Sequence, residues 1–487
     1  MGNEEKTMRR IWVLLTKARQ MPFVRAVNSF MASPVGVAMI AVLTVIVNVT
    51  ATEMVLYVFA VLYGIYLCIL GDDFLTLTPL FLFCYIAPAR VNNPGRNNAS
   101  VFTGATGTAM IVMVALLIVF VLARIALDPR LGFKRLLFCK RTLLRGMLIL
   151  GLAYALSGLF SAHYGAIWYK NVLFGLLQFA TVFLLYFLLT VLVDWGKAPG
   201  HDFAWAGFFV GCTLALEVFF LYLQFGTEII TNGVVSERWN IYLGWGMHNN
   251  IGAMLAVMIP FAFYLAGRYR HGYLLLLPVI AMLAAICMTM SRTAIGAGLA
   301  AAALSAIVMI LHYKKRKTKL IIMGVLLASV ALAAPFLGGV LISKLSEALG
   351  NGLLNDSGRS ALYRAGLDVF LNNPVFGEGF YPSDLSVFQS AYWLSGYDIS
   401  GFLPPRWHNT VIQLLASCGA IGLAAYCYHR YQTVRMFLKG YSRQKLFIAI
   451  STACFLGMSL LDCHFFNLGP TMFYSLALTF AECTQET

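Results

Sequence analysis

"PPRWHNTVIQLLASCGAIGL" (residues 404–423) passes within six residues from a stiff polar entry to an apolar run. Pro404 and Pro405 fix the direction of the chain, Arg406, Trp407, His408 and Asn409 follow, and a long apolar helix begins. A helix that only had to cross a bilayer would need no such head. Gly419 stands eleven positions after His408, close to the same angle after three turns of 3.6 residues each. Ile412, Leu415, Gly419 and Gly422 continue the stripe below the histidine. Small residues at this spacing admit a neighbouring backbone, so His408 reads as a side chain on a rigid mount at the mouth of a membrane helix. The plainer alternative is a histidine that caps a helix or sits at the interface.

Composition extends this reading to the whole chain. Of 487 residues, 60% are hydrophobic and 11% charged, with a mean hydropathy of +0.78. No soluble core can absorb so much apolar surface, so the chain is expected to be an all-α polytopic integral membrane protein. Apolar runs fall near 33–51, 54–70, 74–89, 105–125, 144–160, 171–193, 203–225, 250–267, 273–290, 293–312, 320–342, 408–428, 446–461 and 468–482, giving twelve to fourteen transmembrane helices. The expected organisation is a basic amphipathic cytoplasmic segment over 1–32, membrane helices over 33–342, an extracytoplasmic segment over 343–407, further membrane helices over 408–482 and a short tail over 483–487.

The net charge of +15 would suit nucleic acid, but the positions of the charges exclude it. Basic clusters before the first span, after the fourth ("RLGFKRLLFCKR", 130–141), at "YKKRKTK" (313–319) and at "HRYQTVRMFLKGYSRQK" (429–445) all lie on one side if both termini are cytoplasmic. Ten cysteines without CxxC spacing indicate neither disulfides nor a zinc site.

On the opposite face this topology leaves Arg90, Arg96, Lys170, Arg238, Arg292, Lys344, Arg359, Arg364 and Arg406, mostly arginine. The guanidinium fork binds phosphate oxygens bidentately and keeps its charge when partly desolvated, although any one of these arginines could simply anchor a helix end. Arg292 heads "SRTAIGAGLAAAAL" (291–304), with Gly296, Gly298 and a run of alanines below it. Arg238 precedes a helix that starts at His248, Asn249 and Asn250. The long segment between the eleventh and twelfth spans contains "GRSALYRAGLDVFLNNPVFGEGF" (358–380), a helix expected to stop at Asn372-Asn373-Pro374 before glycine turns. Arg364 and Asp368 are spaced for an i,i+4 pair, leaving Arg359 the more available arginine. Glu217 is the carboxylate placed well inside a span, where it could hold a substrate hydroxyl, pair with an arginine or stay protonated for structure.

These clusters, over about residues 205–430, resemble the O-antigen ligase and lipid-linked polysaccharide polymerase superfamily. His408 and Gly419 are similar to its H-x10-G motif and "SRTAIGAG" to its arginine-bearing helix start, with Gly296 where the family often has leucine. The resemblance implies a metal-independent inverting glycosyltransferase of the large polytopic type, without cofactor. Its donor would be an undecaprenyl-diphosphate-linked glycan, its acceptor a glycan, glycolipid or other envelope molecule, its setting the lipids of the inner or plasma membrane, and its site extracytoplasmic. Carried over by residue, it implies diphosphate-binding roles for Arg238 and Arg292, the family histidine at His408 and a loop arginine at Arg359. Arg406, Trp407, Asn409, His248 and Glu217 complete the candidate substrate contacts. Chemistry agrees, since a departing diphosphate can be stabilised by preorganised arginines and a histidine can take the proton of an attacking hydroxyl. Ligase and polymerase share this donor chemistry. A transporter or flippase of the same lipid-linked glycan is the alternative of another class, and it would want charges along its interior rather than at one face.

Overall fold

A computed structural model describes residues 3–50, 54–71, 74–80 except 77, 104–128, 141–162, 167–195 except 194, 202–231, 234–235, 242–243, 246–312, 320–331 except 326, 359–381 and 404–484 except 441, with the single positions 52 and 334. Arg238, most of the 343–407 segment and the third expected span (74–89) lie largely or wholly outside these residues. The protein is an all-α polytopic membrane protein. Its only described strands form two small antiparallel ladders, β1 (Ile230–Thr231) with β2 (Val234–Val235) and β3 (Tyr242–Leu243) with β4 (Gly246–Met247).

The helices are α1 (Asn3–Arg19), α2 (Pro22–Met31), α3 (Pro34–Val49), α4 (Met54–Ile69), α5 (Gly104–Leu127), α6 (Leu144–Leu159), α7 (Trp168–Phe179), α8 (Leu185–Leu192), α9 (Asp202–Ile229), α10 (His248–Arg268), α11 (Leu277–Met288), α12 (Arg292–His312), α13 (Arg359–Asn372), α14 (Thr410–Leu438), α15 (Arg443–Leu461) and α16 (Leu468–Cys483). A π-helical turn, Ala180–Leu184, joins α7 to α8. Among the described residues six helices are long and apolar enough to cross a membrane: Trp168–Leu192, Phe203–Gln224, α10, α12, α14 and α15. The pair α2–α3, bent by 68°, is a seventh candidate, and five shorter apolar helices accompany them. Most of the expected spans reappear as helices, several of them too short to cross a bilayer unaided; most of the third, and of the second half of the eleventh, lies outside the described residues.

Helix α10 is the axis of the bundle, with 94% of its apolar window buried. It is apolar on every side, as a helix surrounded by helices must be. Pro260 removes the ladder bond to the Ala256 carbonyl, and Ser451 of α15 donates to the adjacent Val257 carbonyl at 2.6 Å, fastening the two helices there. On α12, Gly298 lets Ile286 and Leu283 of α11 approach, whereas Gly296 faces open space, so the small-residue stripe below Arg292 is tightly packed at only one of its two glycines.

The basic N-terminal helix does more than lie on a surface. Trp12 sits between two guanidinium groups, 4.6 Å from Arg19 and 4.9 Å from Arg124 of α5. Arg19 donates twice to the Ile69 carbonyl at the end of α4, and Arg124 pairs with Asp128 at 3.3 Å. The amphipathic segment is therefore tied to the helix ends it covers.

Glu217 on α9 is fully buried and accepts a hydrogen bond from Asn48 Nδ2 on α3. Among the described residues its partner is an amide on a neighbouring helix and not an arginine.

Candidate functional site

The expected helix break after Asn372 is present, and the segment that follows turns into the bundle. Pro374 to Tyr381 docks beside α14 where that helix is interrupted: Gly419 has φ +61° and ψ −161°. Four backbone bonds join the two. Glu378 N donates to Ala416 O at 2.9 Å and Gly379 N to Ser417 O at 3.2 Å, while Ala420 N donates to Pro374 O at 2.8 Å and Ile421 N to Val375 O at 3.3 Å. In an unbroken helix Ala420 and Ile421 would donate to Ala416 and Ser417. The re-entrant segment supplies partners for all four groups, which an apolar interior requires.

Gly419 is thus more than a small residue in a stripe. A Cβ there would lie 2.4 Å from Val375 O and 2.7 Å from Gly377 N. The backbone that approaches Gly419 is this segment. Gly377, at φ +74°, meets Ser417 C at 2.4 Å in the same way. Asn171 of α7 fixes the far end, its Oδ1 accepting from Phe380 N at 2.6 Å and Tyr381 N at 2.9 Å. One helical turn on, Phe174 packs against Phe380 with centroids 5.0 Å apart, and two turns on Gln178 donates to the Phe466 carbonyl at 3.2 Å. One stripe of α7 therefore holds two inward-turned segments, 374–381 and 462–467.

His408 stands directly ahead of α14. Its φ of +52° is rare for a side-chain-bearing residue and costs about 1–3 kcal/mol. Several contacts hold the backbone there. Asn409 is the N-cap, its Oδ1 accepting from Val411 N at 2.8 Å and Ile412 N at 3.2 Å, and its Nδ2 donating to Leu460 O at 2.9 Å. Thr410 Oγ1 donates to Ser459 O at 2.6 Å, fastening the head of α14 to the end of α15. Tyr363 of α13 donates to the His408 carbonyl at 3.2 Å. Trp407 is buried against Leu362 and Ala416, and its N–H donates to Gln413 Oε1 at 3.0 Å. Gly366 lets α13 reach Trp407 and Ile412. Trp407 and Asn409, candidate substrate contacts by sequence, are thus engaged in packing and capping. Arg359 begins α13 one turn before Tyr363, on the same face. The anticipated Arg364–Asp368 pair is not formed; both side chains are exposed, where such pairs contribute little.

The imidazole faces a carboxylate absent from the sequence-derived list. His408 Nδ1 lies 3.3 Å from Asp462 Oδ1, with the two side chains 21% and 13% exposed. The contact is longer than a well-formed charged hydrogen bond, as catalytic contacts often are without substrate. Burial raises the Asp462 pKa, but the His408 contact outweighs it, aided by the charges of His464 and Arg406, and holds the carboxyl well below the usual range. His464 is also buried, and its pKa is lowered first by burial and further by Arg406 and His408, against the pull of Asp462. Its Nδ1 meets Asn250 Oδ1 at 2.9 Å, and Asn467 Nδ2 donates to the same oxygen at 3.0 Å. That oxygen is the acceptor for both, so His464 carries its proton on Nδ1.

Asn250 links this cluster to the other two helix heads. It sits in the first turn of α10, which starts at the buried His248. Two residues further, a Cβ on Gly252 would lie 2.7 Å from Ala294 Cβ and 2.9 Å from Thr289 Oγ1, so the heads of α10 and α12 are in direct contact. Arg292 is the exposed first residue of α12, and Met290 before it has φ +53°, the only described non-glycine besides His408 at positive φ. A chain of contacts thus runs from His408 through the Asp462–His464 turn to Asn250 of α10, and from Gly252 of the same helix to the head of α12, which Arg292 begins. The signal for Asp462 and His464 was "LDCHFFNLGP" (461–470), an acid and a histidine in a turn too short to have another evident purpose.

The fold and this cluster define a polytopic helical membrane protein with a histidine–carboxylate pair at one end of its bundle. Residues 277–427, just under a third of the chain, match the family model described as O-Antigen ligase. The match spans α11 to α14 and includes Arg292, Arg359, His408 and Gly419; Arg238, His248, Asp462 and His464 lie outside it. No curated protein matches the chain.

Proposed function

We propose that the protein is a metal-independent inverting glycosyltransferase. It moves a glycan from an undecaprenyl-diphosphate-linked donor to an acceptor hydroxyl on the extracytoplasmic face, as an O-antigen ligase does. The observation that carries this reading is the His408–Asp462 pair, partly open to solvent, at the head of a helix inside the O-antigen ligase match. With Nδ1 directed at the carboxylate, Nε2 is the nitrogen that takes the acceptor proton. The acceptor oxygen then attacks the anomeric carbon from the face opposite the diphosphate. The glycosidic C–O bond forms, the C–O bond to the diphosphate breaks, and the lipid diphosphate leaves with the electron pair. Asp462 stabilises the resulting imidazolium. Arg292, with Arg238 and Arg359, meets the charge that develops on the leaving group, while Arg406 sets the field around Asp462 and His464.

In this reading both termini are cytoplasmic, 343–407 is the catalytic extracytoplasmic segment, and 33–342 and 408–482 form the membrane domain. Purified protein given a lipid-diphosphate glycan and a candidate acceptor should release free lipid diphosphate with EDTA present. His408→Ala should abolish release while donor binding persists. Release that requires added magnesium, or that survives in His408→Ala, would overturn the mechanism. One transferred glycan per acceptor indicates a ligase, and a ladder of repeat units indicates a polymerase.

A further inference from the structure

Arg430 belongs by sequence to a cytoplasmic basic cluster, yet its charge lies inside the protein. It sits in the second half of α14, eleven residues beyond the break at Gly419. Its guanidinium carbon lies 4.5 Å from the ring centroid of Tyr426, 4.8 Å from Tyr474 of α16 and 5.0 Å from Phe465 in the 464–466 turn. Rings from three elements converge on one cation. They engage its flat face, while its five N–H bonds project from the edge. Nε, Nη1 and Nη2 are all buried, and none donates a hydrogen bond to a described residue. No ion pair joins Arg430 to a described carboxylate.

Its surroundings share the deficit. Tyr154 Oη of α6 and His429 Nδ1 are buried without a hydrogen-bond partner among the described residues, and Tyr154 lies within electrostatic reach of Tyr426, Arg430 and Tyr474. Tyr474 Oη bonds His429 Nε2 at 3.0 Å and is close enough to the guanidinium to share its field, but at an angle that leaves the Arg430 N–H groups short of a well-formed hydrogen bond. Removing a cation from water while leaving its donors unmet is expensive, and contact with ring faces compensates the charge but not the donors.

We propose that Arg430 is the centre of a second, intramembrane site that binds a phosphate-type oxyanion at the guanidinium edge. Two parallel N–H bonds match two phosphate oxygens, and the Tyr154 hydroxyl is available to donate to the anion. The aromatic walls suit an anion that arrives either free or on a lipid. The site is independent of the transfer chemistry at His408 and stands whether or not that reading holds.

The test uses the full chain in nanodiscs of neutral lipid. Thermal stability and bound phosphorus are measured during titration with sodium phosphate, with dodecyl phosphate against dodecanol, and with sodium chloride at matched ionic strength. Wild type should show saturable stabilisation by a phosphate species that chloride does not reproduce. Arg430→Gln should lose it, Tyr154→Phe should weaken it several-fold, and Arg364→Gln, at an exposed arginine of α13, should keep it. A response to inorganic phosphate indicates a free-anion site, and a response to dodecyl phosphate alone indicates a lipid headgroup. No saturable response in wild type, an unchanged response in Arg430→Gln, or loss in Arg364→Gln would overturn the proposal. If Arg430→Gln does not fold, unchanged affinity in Tyr154→Phe overturns it.

Discussion

Replacing Gly419 by alanine tests the docking of the re-entrant segment with one methyl group. Two costs add. At φ +61° and ψ −161° an L side chain is strained by about 1–3 kcal/mol. The new Cβ would also stand 2.4 Å from the Val375 carbonyl oxygen and 2.5 Å from its carbon, so the segment must retreat, and overpacking of this kind costs about 1–3 kcal/mol more. The sum, about 2–6 kcal/mol, is a large part of the 5–15 kcal/mol by which folded domains are typically stable. Two other glycines separate the contributions. Gly440 has φ +74° with nothing within 4 Å of a built Cβ, so Gly440→Ala pays strain alone. Gly296 is helical and equally open, so Gly296→Ala should be neutral or stabilise by about 0.5–1 kcal/mol. Thermal unfolding of the purified variants in one detergent should rank Gly296→Ala highest, Gly440→Ala next and Gly419→Ala clearly lowest, with Gly419→Ala also losing transfer. If Gly419→Ala melts with Gly440→Ala, the segment is not wedged against α14 as described.

Asp462→Asn preserves a side-chain oxygen to accept from Cys463 N, now at 2.7 Å, but removes the charge facing His408; transfer should fall about 10²- to 10⁴-fold with donor binding little changed, and wild-type turnover would refute the pair. Asn171→Ala leaves Phe380 N and Tyr381 N unmet in a buried setting, at about 1–3 kcal/mol each; Asn171→Asp, which keeps the acceptor, should restore most of the lost melting temperature, and equal losses would refute the role. Arg292→Lys should impair transfer nearly as much as Arg292→Ala, because lysine keeps the charge and loses the fork; full activity in the lysine variant would make Arg292 an anchor. Both Asp462 and His464 have folded pKa values below their unfolded ones, so each contributes stability that falls with pH. The His464 contribution is complete above the unfolded histidine value of about 6.5 and is lost below it, and that of Asp462 is lost only below about 3.9. The melting temperature should therefore drop between pH 7 and 5, less so in His464→Asn, and an identical slope in the variant would refute the assignment.

Much of the fold was legible because burial in lipid demands unbroken apolar runs. The expected spans at 144–160, 250–267 and 468–482 correspond to Leu144–Leu159, His248–Arg268 and Leu468–Cys483. The loop helix ended at Asn372, where Pro374 required it to. Hydropathy could not reveal that a backbone segment enters the bundle, since "PVFGEGF" carries no periodicity; only its glycines hinted at turns. His408 was legible from its position at a helix head. Asp462 was not, because its partner is 54 residues away in sequence and the pairing depends on α14 and α15 lying side by side. Arg430 misled for a similar reason. Charge counting assigns a residue to a side of the membrane, but the long side chain turns back toward the helix start and ends among rings.

The exchange of backbone bonds at Gly419 also imposes an order on biogenesis. Residues 374–379 leave the ribosome before α14 exists, and their docking groups have no destination until Ala416, Ser417, Ala420 and Ile421 arrive. Conversely, α14 enters its surroundings with a gap in its own ladder, two donors and two acceptors unmet, until the earlier segment returns to it. Neither can mature alone. Completion of the longest described span is therefore a late event that reports on a loop made well before it, and a block in loop docking should leave α14 unfinished at its middle rather than at its ends.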